Sequence, residues 1–153
     1  MSGVLLYQPM LSVTYPKPVY KIKTEGEKES IFDSLRKKWV VLTPEEWVRQ
    51  NFISYLIQVK NYPASLMAVE KEILLGELRK RFDILVYDKD HQPWMMVECK
   101  SMDVALDDSV VAQLLRYHIS MPVPYLVITN GNSSYAWMKT SKGLEEINEL
   151  PLP

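Results

Sequence analysis

The spacing of apolar residues changes several times along the chain, and each change predicts an element. Val48, Phe52, Tyr55, Leu56 and Val59 recur at three- and four-residue intervals, which predicts a helix with one buried stripe. Its start is Thr43-Pro44-Glu45-Glu46: Thr43 suits the N-cap, Pro44 the first helical position, and Glu46 the position that closes a capping box. Tyr62-Pro63 ends it, because the residue before a proline is pushed out of the helical region. A second helical spacing, Val110, Leu114, Tyr117 and Met121, predicts a helix over 107–120. Between the helices the pattern is strand-like over 66–75, over Phe82–Tyr87, and over Trp94–Lys100 beyond the polar turn 88–93. Val123–Thr129 reads as a buried strand, and Asn130-Gly131 as a tight turn into a last strand, Tyr135–Met138. The order α-β-β-β-α-β-β indicates an α/β or α+β fold, a central mixed sheet flanked by helices.

Residues 1–35 stand apart as an arm or edge strands, with short apolar groups broken by Pro9, Pro16 and Pro18. Ile31-Phe32 and Trp39–Leu42 fit a short hairpin around Arg36-Lys37-Lys38. Residues 36–153 read as one compact domain, since a chain of 153 residues supports a single core.

Composition narrows the function classes. A formal net charge of -1 argues against a basic nucleic-acid coat protein, but leaves room for an enzyme with a local basic patch. One cysteine, Cys99, excludes an intrachain disulfide and suits a reducing compartment. No secretory leader is evident, and no apolar run reaches the roughly 18–20 residues that cross a bilayer, so a soluble, cytoplasmic protein without membrane contact is expected.

The chemistry concentrates in Arg81-Phe82-Asp83 and Val97-Glu98-Cys99-Lys100. Alternate strand residues share a face, so Glu98 and Lys100 point the same way, about 7 Å apart. A hairpin through the 88–93 turn brings Asp83 to the same end of the sheet. Two carboxylates ~4 Å apart repel by about 4 kcal/mol at an effective dielectric near 20, and a hard divalent cation removes that cost. The same residues also fit a blander reading: Asp83 as a turn residue, Glu98 and Lys100 as a solvated pair. His91 and His118 lack partners for a zinc site, and Arg36-Lys37-Lys38 and Arg79-Lys80-Arg81 read equally as solvated charge runs or as phosphate guides.

Asp83…Glu98-Cys99-Lys100 has the form of the PD-(D/E)xK nuclease signature. The text from Arg36 to Met138, including Leu42–Gln50, Arg81–Ile84, Val97–Lys100 and Pro124–Gly131, resembles the N-terminal nuclease domain of type I restriction enzyme R subunits. The resemblance implies a restriction-endonuclease-like core and a Mg²⁺- or Mn²⁺-dependent DNA endonuclease. Asp83, Glu98 and Lys100 would be catalytic, and Glu45, Asp83, Glu98 and the Cys99 carbonyl the metal ligands. The family's acidic residue on the first helix matches Glu45 with Arg49 four residues on, and at roughly 100° per residue Glu45 falls with Val48 and Phe52 while Glu46 points away. Glu45 also suits a plain pair with Arg49. Gln113 and Tyr117 match the Q-x-x-x-Y motif of RecB-like and R-subunit nucleases and, with Arg49 and Arg81, would bind substrate. Implied partners are DNA and either helicase and specificity subunits or a second copy of the chain. The chain departs from the pattern in carrying Phe82 before Asp83 and in having no phosphate loop for ATP-driven translocation. A module that keeps the fold and binds without cleaving is the rival reading.

Overall fold

The computed structural model describes residues 10–75 and 77–153; Met1–Pro9, part of the expected arm, lie outside the described residues. The chain opens with an antiparallel sheet ordered β1-β2-β3, formed by β1 (Ile22–Glu25), β2 (Lys28–Asp33) and β3 (Lys38–Val41). The β2–β3 hairpin forms where the sequence places it. Asp33 Oδ1 accepts the N–H groups of Leu35 (2.8 Å) and Arg36 (3.1 Å), closing the turn with its own side chain. The expected division at 35/36 falls inside this turn, and β1 and β2, placed before it, pair in one sheet with β3.

Helix α1 (Pro44–Gln58) begins at Thr43, whose hydroxyl accepts the Glu46 N–H at 3.0 Å. The other half of the capping box is missing, because the Glu46 carboxylate is engaged by arginines instead. Val48, Phe52, Tyr55 and Leu56 are buried. Val59, expected in the same stripe, is 44% exposed: it is the C-cap, where the chain turns off the sheet and Tyr62 takes over the burial.

A short 3-10 turn, Ala64–Leu66, leads into a six-stranded sheet. Its strands are β4 (Met67–Leu75), β5 (Leu78–Tyr87), β6 (Pro93–Cys99), β7 (Tyr125–Thr129), β8 (Ser134–Thr140) and β9 (Gly143–Ile147), in spatial order β4 through β9. All neighbours are antiparallel except β6 and β7, which are parallel and joined by α2 (Asp108–His118). Strand β9 is an addition to the expected order; Gly143-Leu-Glu-Glu-Ile carries too much charge to read as a strand. β6 and β7 alternate sides. Met95, Val97, Cys99 and Val127 pack under α1. Met96, Leu126 and Ile128 join Phe82 and Leu85 under α2. The fold is therefore α+β, with the sheet between two helices.

The buried face of α2 is rotated by one residue from the expected stripe. Val111, Leu114, Leu115 and His118 face the sheet, while Tyr117 is 50% exposed. Residues 111, 114, 115 and 118 form an unbroken helical face, and a stripe through Tyr117 would turn Val111 and Leu115 outward.

The Asn130–Ser133 turn fixes the end of β7. Asn130 Oδ1 accepts from Asn132 (2.9 Å) and Ser133 (2.7 Å), and Gly131 adopts φ +90° with an added Cβ only 3.3 Å from Val48. Gly131→Ala combines left-handed strain with that approach, so an unfolding free energy lower by about 1–2 kcal/mol is expected in urea titration.

Candidate active site

The site lies where β5 and β6 part. Their pairing ends at Ile84–Val97, which leaves Asp83 opposite Glu98. Beyond that point a side chain replaces the ladder, and Asp83 Oδ2 accepts the Cys99 N–H at 2.7 Å. Glu98 shares the Met96 side of β6, toward α2, where His118 Nε2 stands 3.0 Å from its Oε1. Lys100 Nζ is 3.7 Å from the other oxygen, Oε2, so Glu98 and Lys100 do share a face. Lys100 is held by its backbone N–H, which donates to the Thr129 carbonyl (2.8 Å) as β6 leaves its neighbour.

From the other layer, α1 brings Arg49, whose Nη2 lies 3.2 Å from Asp83 Oδ1. The guanidinium also reaches Glu46 at 3.0 Å and Glu70 at 3.1 Å. Arg36, from the β2–β3 turn, contacts both Glu46 oxygens at 2.9 Å and pairs with Asp33. Glu70, on β4 beside Asp83, also binds Arg81 at 3.1 Å and holds φ +54°, a conformation few glutamates adopt.

This arrangement corrects the helical-wheel assignment. Glu46, expected to point away, is buried and pinned between two arginines; Glu45, expected inward, has a 46% exposed side chain 3.7 Å from Arg49. Arg36, reaching in from the β2–β3 turn, meets Glu46 in the first turn of α1, and that pairing decides which of the two glutamates is buried. Among the described residues, no three His, Cys, Asp or Glu side chains converge as a metal-holding group. The gathered set is two carboxyls, Asp83 and Glu98, with Lys100 and His118.

Burial, and then the charge of Glu98, push Asp83 up to about 7. Glu98 moves the other way: burial raises it, but the hydrogen bond and charge of His118, then Lys100, hold it below the usual carboxylate range. The pair thus keeps one proton, on Asp83, near neutrality. Cys99 is fully buried, which pushes its thiol up and leaves it a packing group rather than a nucleophile. The folded protein holds the Asp83 proton in a range where the unfolded chain has released it. Stability from this group is therefore complete below the unfolded value of 3.8 and is lost as pH rises through about 7. Urea titrations at pH 5, 6, 7 and 8 are expected to show this decline, and Asp83→Asn to flatten it.

Of the other residues singled out in the sequence, Gln113 is exposed on α2, and Tyr117 carries Lys80 Nζ 3.5 Å from its ring centre. Arg81 is exposed and paired with Glu70. His91 sits in the polar turn with φ +59°. His118 was missed. It belongs to no metal pattern, but a polar residue seven after Val111 and four after Leu114 lies on the buried helix face, and burial there demands a partner.

A hard cation suits this donor set. Two carboxyls that raise and lower one another's proton affinity are oxygen ligands whose repulsion such an ion relieves. No helix among the described residues is long and apolar enough to cross a membrane.

Comparison with known proteins adds three findings. No curated protein matches the chain. A solved structure of a candidate nuclease of the DUF820 group from Anabaena variabilis superposes with a TM-score of 0.47 and 13% sequence identity, covering 86% of this chain and 85% of that one. The family model described as Type I restriction enzyme R protein N terminus matches residues 44–151, from the first turn of α1 to the segment after β9, and so includes Asp83, Glu98 and Lys100. The chain belongs to the type I restriction enzyme R protein N-terminal family.

Proposed function

We propose that the domain is a Mg²⁺- or Mn²⁺-dependent DNA phosphodiesterase of endonuclease type. The observation that carries this reading is the Asp83–Glu98 carboxyl pair with the Lys100 ammonium 3.7 Å from Glu98. Asp83, Glu98 and the Cys99 carbonyl would hold the ion, with Glu45 at the rim as the acidic side chain free to close on it. When bound, such an ion acidifies water and stabilises negative charge gathering on a phosphate. Lys100 would hold the attacking water or neutralise the phosphate oxygens. His118 fixes Glu98 through Oε1, leaving Oε2 on the Lys100 side. Arg49, expected at the substrate, is buried among Glu46, Glu70 and Asp83, so contact with the DNA backbone would fall to the exposed Arg81, Gln113 and Tyr117. One such site cuts one strand, so double-strand cleavage would need a second copy of the chain or a partner subunit of the restriction complex.

The test is cleavage of single-stranded, double-stranded and branched DNA with Mn²⁺, comparing the wild type with Lys100→Ala. A loss of about a hundredfold or more is expected, the usual scale for one electrostatic group at a reacting centre. Cleavage unchanged by the substitution would overturn the mechanism. One observation favours the non-cleaving alternative: Arg49 already sits 3.2 Å from Asp83 Oδ1, where a bound cation would have to compete with it. That reading expects no cleavage of any substrate by the wild type.

A further inference from the structure

The outward face of the N-terminal sheet carries chemistry that the carboxylate site does not use. Cross-strand register places Phe32 directly opposite Trp39. Their rings meet edge to face at 5.5 Å. Trp39 remains 39% exposed and Val41, two residues on along the same face, 50%. Lysines stand on both rings, Lys23 Nζ 4.5 Å from the Trp39 centre and Lys21 Nζ 5.8 Å from that of Phe32. The adjoining turn adds exposed Lys37 and Lys38.

A large indole left half open costs solvation that a small domain normally avoids, and ammonium groups parked on the rings mark a face that welcomes cations and π systems together. Single-stranded nucleic acid supplies the complement of both: flat bases that stack on aromatic rings without sequence preference, and phosphates that attract the lysines from the ring faces. A duplex offers its bases only at their edges, so an exposed ring gains little from it. Val41, at the edge of the face, also borders a cleft that approaches the candidate active site. Val40 and Val41 line a cleft of 560 Å³ that runs past Arg36 and Arg49 to Ser101, the residue after Lys100. The β2–β3 turn is fastened to that site, since Arg36 bridges it to Glu46.

We infer that the Phe32–Trp39 face is a stacking platform for a single-stranded DNA segment, which it delivers along this cleft to Asp83 and Glu98. The inference rests on the nuclease reading for its destination, but its binding step is measured without catalysis. Fluorescence anisotropy of labelled oligothymidylate, in EDTA, compares wild type with Trp39→Ala, Trp39→Phe and the pair Lys21→Glu with Lys23→Glu. Because Trp39 is a surface residue, circular dichroism of all variants should match the wild type. Expected are about tenfold weaker binding for Trp39→Ala, the scale of one lost base stack, near-recovery with Trp39→Phe, a comparable loss for the lysine pair with a shallower salt dependence, and little change in duplex affinity. No binding of oligothymidylate by the wild type, or equal affinities across the variants, overturns the platform. So does self-association on sedimentation that Trp39→Ala abolishes while DNA affinity stays constant, which makes the face a protein contact. Asp83→Asn separates the two ideas: if it binds oligothymidylate like the wild type in EDTA and still cleaves at the wild-type rate in Mn²⁺, the active-site assignment fails and the platform stands.

Discussion

Asp83→Asn is expected to reduce Mn²⁺-supported DNA cleavage by about a thousandfold or more, because several kcal/mol of charge stabilisation vanish with a cation ligand and each 1.4 kcal/mol is a factor of ten. The fold should survive. Asparagine can still accept the Cys99 N–H, and it carries no charge for burial and Glu98, which together push Asp83 up to about 7, to penalise. Mn²⁺ is expected to raise the thermal stability of the wild type, following binding through RT ln(1 + [L]/Kd), and Asp83→Asn to abolish that rise. Since the cation must displace the Asp83 proton, that stabilisation should grow from pH 6 to pH 8 in the wild type. Cleavage by Asp83→Asn at the wild-type rate, or a Mn²⁺ shift that ignores both pH and the substitution, would remove Asp83 from the site.

Arg49→Ala is expected to cost about 3–5 kcal/mol of stability, the penalty for stripping the partner from buried charges. The side chain is 5% exposed and meets Glu46, Glu70 and Asp83 within 3.2 Å. Without it, Glu46 is left to Arg36, Glu70 to Arg36 and the exposed Arg81, and Asp83 loses the guanidinium at its Oδ1. Arg49→Lys should recover part of the loss, since one ammonium cannot span three carboxylates as a planar guanidinium does. Urea denaturation near pH 4.5 should narrow the gap for Arg49→Ala, as the abandoned carboxylates take up protons. A full-stability Arg49→Ala would mean that the carboxylates find water instead.

Much of this arrangement was legible in the residues. The Thr43-Pro44 start of α1, the hairpin about Arg36–Lys38 and the β5–turn–β6 unit follow from local rules of capping, turn chemistry and alternation, and local rules need no knowledge of the rest of the chain. The approach of Asp83 to Glu98 followed from the hairpin alone, since 83 and 98 sit near one end of it. What failed depended on distant partners. The wheel put Glu45 inward because it weighed only α1's own apolar stripe, whereas the depth of Glu46 is set by Arg36, ten residues earlier on another sheet. Tyr117 and His118 exchanged roles because a helix phase judged from four apolar residues is uncertain by one position, and only the sheet beneath, through Glu98, selects the histidine. Strand β9 was hidden because it pairs on one edge and needs little apolar content.

The single cysteine gives the site a reporter of its own. Cys99 is fully enclosed, its N–H tied to Asp83, at the strand end from which Glu98 and Lys100 project. An external thiol reagent can reach that sulfur only when the packing between α1 and this end of β6 opens, so the labelling rate clocks the opening of the candidate site rather than the fraying of the chain's ends. Whatever bridges the two carboxyls should slow that clock, and occupancy of the site can be timed without any turnover.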